Sequence, residues 1–127
     1  MPNNRPTSTE LMSAVQAFLR AEVLPTLSGT QKYHLQVALN ALAILGRELS
    51  SATQFDSAEC DRLCSLLKAS GTRQELNRAL CAQIRARQFT YRDPQLISHL
   101  LQTAIDKISI DNPKYATYTR ELVKPDP

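Results

Sequence analysis

Apolar residues along this chain return every three or four positions, the period of helices with one buried face, and no stretch alternates apolar and polar long enough to argue a strand. The first run opens at Thr7 with Glu10 three residues later, a capping-box pattern, and sets Leu11, Val15, Phe18 and Leu19 on one face. Pro25 is expected to stop it, and Pro25 to Thr30 reads as a loop. A second helix, from about Gln31 to Leu49, is apolar around most of its circumference through Leu35, Val37, Ala38, Leu39, Leu42, Ile44 and Leu45. That pattern predicts the central, most buried helix. Ser50 to Phe55 reads as the next connection, ahead of a third helix capped by Asp56 with Glu59, carrying Cys60, Leu63, Cys64 and Leu67 on its face and stopped by Gly71.

Thr72 with Glu75 repeats the capping pattern for a fourth helix, with Leu76, Leu80 and Ile84 facing the core and fraying expected near Arg87. Asp93-Pro94, a cap followed by proline at the first helical position, opens a fifth that carries Ile97, Leu100, Leu101, Ala104, Ile105 and Ile108. Asp111-Asn112-Pro113 should end it in a firm turn that aims Tyr115 back at the helices. Residues 114–127 show no periodic apolar face and are expected to form an extended tail, disordered over its last residues, Lys124 to Pro127. The expectation is an all-α fold: a single compact helical bundle of about five helices, one domain over residues 1–127 with its core at about 7–113.

Composition agrees. A chain of 127 residues can bury a core without disulfides or metal, and only three glycines are present where an all-β chain needs many turns. Cys60, Cys64 and Cys81 are an odd number set within helical patterns, which reads as buried apolar cysteines in a reducing compartment. The first ten residues lack the pattern of a secretory or transit peptide, and the longest apolar run, Leu35 to Gly46, is too short to span a bilayer. A soluble cytoplasmic protein without a membrane partner is expected.

Several residues break the pattern. Glu22 falls close to the sector of Leu11, Val15 and Phe18, where a carboxylate is costly unless it lies wet in the last turn or finds a partner. Gln36, Asn40 and Arg47 share one stripe of the second helix with Tyr33 beside it, either its one solvent-facing edge or the lining of a pocket or interface. In a pocket, Arg47 would offer a cationic fork to a carboxylate or phosphate, Asn40 a donor and an acceptor, and Glu22 could hold Arg47 in place. The candidate binding set is therefore Glu22, Tyr33, Gln36, Asn40 and Arg47. His34 stands almost opposite the stripe and reads as structural or exposed, and His99, off the apolar face of the fifth helix, reads as surface.

No glycine-rich phosphate loop, Gly-x-Ser-x-Gly turn or His-Glu-x-x-His helix occurs, so no catalytic residue, cofactor or metal is expected. The net charge is only +3, yet between residues 62 and 92 seven cations face Glu75 alone. Arg78 and Arg85, with Arg73, Arg87 and Arg92 nearby, read as a solvated face or one that meets an acidic partner or a phosphate backbone. Nucleic-acid binding is not expected, because no helix-turn-helix signature or aromatic interleaving accompanies these arginines.

Arg5-Pro6-Thr7, Val23-Leu24-Pro25, the segment from Tyr33-His34 through Asn40-Ala41-Leu42 to Arg47-Glu48-Leu49, and Ile110-Asp111-Asn112-Pro113-Lys114-Tyr115 together resemble an uncharacterised bacterial domain family, over most of residues 5–118. Genes of that family tend to lie beside phosphotransferases like aminoglycoside and choline kinases and beside acyl-CoA dehydrogenases. The resemblance thus implies an accessory role beside one of these enzymes and no assigned catalytic residues. The leading expectation is a non-enzymatic interaction module acting through the Tyr33, Gln36, Asn40 and Arg47 stripe or the arginine face, with homo-oligomerisation left open. The alternative is a small-ligand or anion-binding bundle with Glu22, Asn40 and Arg47 in an inter-helical pocket. A third is a subunit that completes another enzyme's active site.

Overall fold

The computed structural model describes residues 5 to 122, so the disorder expected over Lys124 to Pro127 lies outside the described residues. The described chain is all-α, with no strand. Four α-helices, α1 (Ser8–Phe18), α2 (Gly29–Leu67), α3 (Arg73–Arg85) and α4 (Pro94–Asp111), precede a short C-terminal helix, Tyr118–Leu122. Contacts group the chain into two units, Met1–Ala52 and Thr53–Pro127.

In the first unit Thr7 caps α1 as its pattern predicts, its hydroxyl accepting from the Glu10 backbone N–H at 3.2 Å. The helix widens into a π turn over Leu19–Val23 and tightens into a single 3-10 turn over Leu24–Thr26, so Pro25 ends the run within a turn that is still helical. At Gly46 of α2 a Cβ would stand 3.8 Å from Met12 Cγ of α1, an ordinary contact distance. Leu39 is buried. The expectation of a thoroughly buried second helix fails, since Val37, Leu45 and Leu49 are exposed, as are Leu11, Val15 and Phe18 of α1. Helix α1 approaches α2 at Gly46, and one neighbouring helix covers only one sector of a helix that is apolar all round.

The connection expected at Ser50 to Phe55 does not exist: α2 runs through it without a break. This stretch holds no glycine or proline, and its serines and threonine cost a helix only tenths of a kcal/mol each. Ser50 also donates its hydroxyl to the Gly46 carbonyl one turn back, at 3.0 Å. Asp56 and Glu59, free of any capping duty, turn to α3 instead: Arg73 lies 3.7 Å from Asp56 and 3.5 Å from Glu59.

The second unit gathers a leucine core from three helices, Leu63 of α2, Leu76 and Leu80 of α3 and Leu96 of α4, with Cys60, Cys64, Leu66, Leu67 and Phe89 packed against it. Each fully buried leucine contributes about 1.5–3 kcal/mol. Helix α2 ends at Lys68 and not at Gly71: Lys68 is left-handed (φ 52°) and the Ala69 N–H donates to the Cys64 carbonyl at 3.3 Å. At the end of α3, Arg87 (φ 60°) repeats the motif with both of its bonds, so that end is firmly closed where fraying was expected. Thr72 and Glu75 form the predicted capping box. Asp93 precedes Pro94 at the start of α4, its carboxylate accepting from the Thr90 N–H at 2.7 Å. Beyond α4 the Tyr115 N–H donates to the Asn112 carbonyl at 3.0 Å, making the predicted turn, but Tyr115 itself stays half exposed. Within the stretch expected to be extended, Tyr118–Leu122 is helical and packs against α4.

Candidate functional site

The face that α4 turns inward is not its most apolar one. Leu96, His99, Thr103, Asp106 and Ile110 recur at spacings of three and four and are buried or half-buried, whereas Ile97, Leu100 and Leu101 are 44 to 50% exposed. His99, expected at the surface, is 4% exposed. The reason stands on α2: Arg62 immediately precedes buried Leu63, and a half-buried guanidinium needs acceptors. Its Nε donates to His99 Nδ1 at 3.2 Å, its Nη2 donates to Thr103 Oγ1 at 3.1 Å, and Asp106 lies 4.0 Å away.

This bond assigns the imidazole: Nδ1 accepts, so the ring is neutral with its proton on Nε2. Burial, followed by the Arg62 charge, lowers the His99 pKa from its ordinary value, and Glu59 opposes this weakly. His99 and Arg62 line a cleft of about 520 Å³ between α2 and α4, together with Asp61, Ser65, Leu66, Pro94, Gln95 and Ser98. Hydroxyls, an amide and a guanidinium there suit hydrogen bonding to a small polar ligand.

A second polar group ties α2 to α3. The Glu59 carboxylate, 9% exposed, accepts from Arg73 Nη1 at 3.5 Å and from Asn77 Nδ2 at 3.3 Å. The outer side of α3 carries a groove of about 530 Å³ lined by Arg73, Gln74, Asn77, Arg78, Cys81 and Arg85. Of the three cysteines expected to be buried, Cys60 and Cys64 are half-buried, with the Cys60 thiol pushed up by burial and by neighbouring Cys64, and Cys81 is exposed. Its position on the arginine stripe, off the Leu76 and Leu80 face, explains the difference.

The residues singled out from sequence are distributed differently. Tyr33, Gln36 and Asn40 are exposed on α2, with exposed Val37 among them and the Tyr33 ring tilted against His34 at 5.7 Å. Arg47, on the same stripe, is half-buried in a groove of about 400 Å³ formed by Ala43, Gly46, Ser50 and Ser51 with Thr9, Met12, Ser13 and Gln16 of α1 and Arg20 of the π turn. Glu22 is exposed in the π turn and is not among the residues lining this groove. Arg62, Thr103 and Asp106 were not singled out from sequence. The signal for Thr103 and Asp106 was the three-four stripe they share with Leu96 and His99 on α4, whereas no spacing on α4 points to Arg62 of α2.

The described residues thus define an all-helical domain with an arginine–histidine cluster in an inter-helical cleft. The chain belongs to the family described as a domain of unknown function, DUF6285, which it matches over residues 25–115. No curated protein and no solved structure shows a significant match to it.

Proposed function

We propose that this chain is a helical interaction module that serves another protein and performs no chemistry of its own. The observation that carries this reading is the face of α4 bearing Ile97, Leu100 and Leu101, which keeps a helical period yet remains 44 to 50% exposed. A stripe of that kind suits a partner surface better than water, and exposed Tyr33, Gln36, Val37 and Asn40 on α2 offer a second, mixed face with an aromatic anchor. Arg47 continues that face into the groove against α1, and Glu22 could contribute at its edge. The partner suggested by the family resemblance is a phosphotransferase of the aminoglycoside or choline kinase type, or an acyl-CoA dehydrogenase.

Co-expression with such an enzyme tests the reading. Co-elution of the two chains that is lost on Leu101→Glu or Tyr33→Ala supports it, while separate elution from both enzyme classes removes it. The Arg62 and His99 cleft favours a second reading, a small polar ligand held between helices. Arg62→Ala then abolishes binding of that ligand without disturbing partner co-elution.

A further inference from the structure

Helix α3 shows two faces with opposite character. Leu76 and Leu80 enter the core, while Gln74, Arg78, Cys81 and Arg85, spaced four, three and four apart, form one continuous stripe on the outside. Arg78 and Arg85 stand about 10.5 Å apart along the axis, with Cys81 between them. Both line the same groove of about 530 Å³, a volume suited to a small molecule.

Nearby Arg73 is satisfied by Asp56 and Glu59, but Arg78 and Arg85 make no ion pair among the described residues. Two uncompensated guanidiniums bordering one hollow repel each other, and an anion seated between them relieves that repulsion. Guanidinium forks fit tetrahedral oxyanions through paired N–H donors, so a multiply charged phosphate can engage both arginines at once where one carboxylate would engage one. The remaining wall is amide: Gln74 is exposed, and Asn77 donates its Nδ2 to Glu59, which leaves its carbonyl oxygen to accept. A hydroxyl beside the phosphate matches that oxygen.

We propose that the groove between Arg78 and Arg85 on the outer face of α3 is a binding site for a phosphate-bearing small molecule. This site is independent of the interaction reading, which rests on α4 and α2. Exposed Cys81 between the two arginines supplies the reporter. The full chain is treated with iodoacetamide, a neutral reagent, and alkylation of Cys81 is followed by peptide mass spectrometry with and without inorganic pyrophosphate. Pyrophosphate is expected to slow Cys81 alkylation saturably, by about fivefold when it is several times its dissociation constant. Sodium chloride at matched ionic strength is expected to leave the rate unchanged. Arg78→Gln and Arg85→Gln, both at exposed positions whose helicity circular dichroism checks, are each expected to remove the protection. Protection by sodium chloride equal to that by pyrophosphate, no protection at all, or full protection in both variants would overturn the site.

Discussion

At the scale of single residues, the buried polar groups set the most specific expectations. The His99 pKa lies below its ordinary 6.5 because burial and the Arg62 guanidinium both disfavour the imidazolium. As pH falls below 6.5, the unfolded chain therefore takes up a proton at His99 before the folded chain does. The full contribution to stability is present above that pH and is lost progressively below it, down to the folded-state value. Urea midpoints measured from neutral pH into the acid range should fall with a component that His99→Gln lacks. An identical acid loss in the variant would mean that other groups carry it. From sequence alone His99 looked like a surface residue, because the apolar count on α4 favours the face of Ile97 and Leu101. What reverses that choice is Arg62, a residue on another helix, which no pattern within α4 can report.

At the scale of elements, helix starts were legible and several stops were not. Thr7 and Thr72 cap their helices where their patterns placed them, because a cap is a local arrangement of one side chain and nearby backbone N–H groups. Asp93 stands at the expected start of α4, although its carboxylate accepts from the preceding Thr90 and caps no N–H of that helix. Lys68 and Arg87 end their helices in the left-handed region, at φ 52° and 60°, although neither residue type favours it. Lys68→Gly and Arg87→Gly should each stabilise the fold by about 1 kcal/mol by removing that strain, read as a rise in the denaturation midpoint. No rise in either variant would mean that the long side chains gain as much as the strain costs. Gly71, expected as the stop, serves the next turn: at φ 155° a Cβ there would lie 2.8 Å from the Glu75 oxygen of the capping box. The continuity of α2 through Ser50 to Phe55 shows the converse limit, since a polar, mildly unfavourable stretch is carried by the helix on both sides.

Across the whole molecule, large apolar residues divide between core and surface in a way that affects stability and association differently. Leu63 is fully buried, while Leu101 is 50% exposed. Leu63→Ala is expected to cost about 2–5 kcal/mol, and Leu101→Glu less than about 0.5 kcal/mol. Chemical denaturation of the two variants compares them directly, and a large loss for Leu101→Glu would place that face in a packed core and remove it as a docking stripe. None of the helices described is long and apolar enough to cross a membrane. The cations concentrated between residues 62 and 92 divide between two tasks: Arg62 and Arg73 hold buried polar groups, and Arg78 and Arg85 face outward.

The sequence by itself determined the all-α class, the helix starts at Thr7, Thr72 and Asp93, the inward Leu76 and Leu80 of α3, though Ile84 expected beside them is exposed, and the turn at Asn112-Pro113. Each depends on residues within a few positions of one another, where backbone hydrogen bonding and helical period act directly. Tertiary structure alone decided that α4 turns His99 inward, that Glu59 faces Arg73 and Asn77 instead of capping a helix, and that the apolar sides of α1 and α4 remain exposed. Those outcomes depend on which helices lie alongside. A buried arginine or carboxylate can then impose a hydrogen-bonded face in place of the most hydrophobic one, because leaving such a group unpaired away from water costs more than exposing a few leucines.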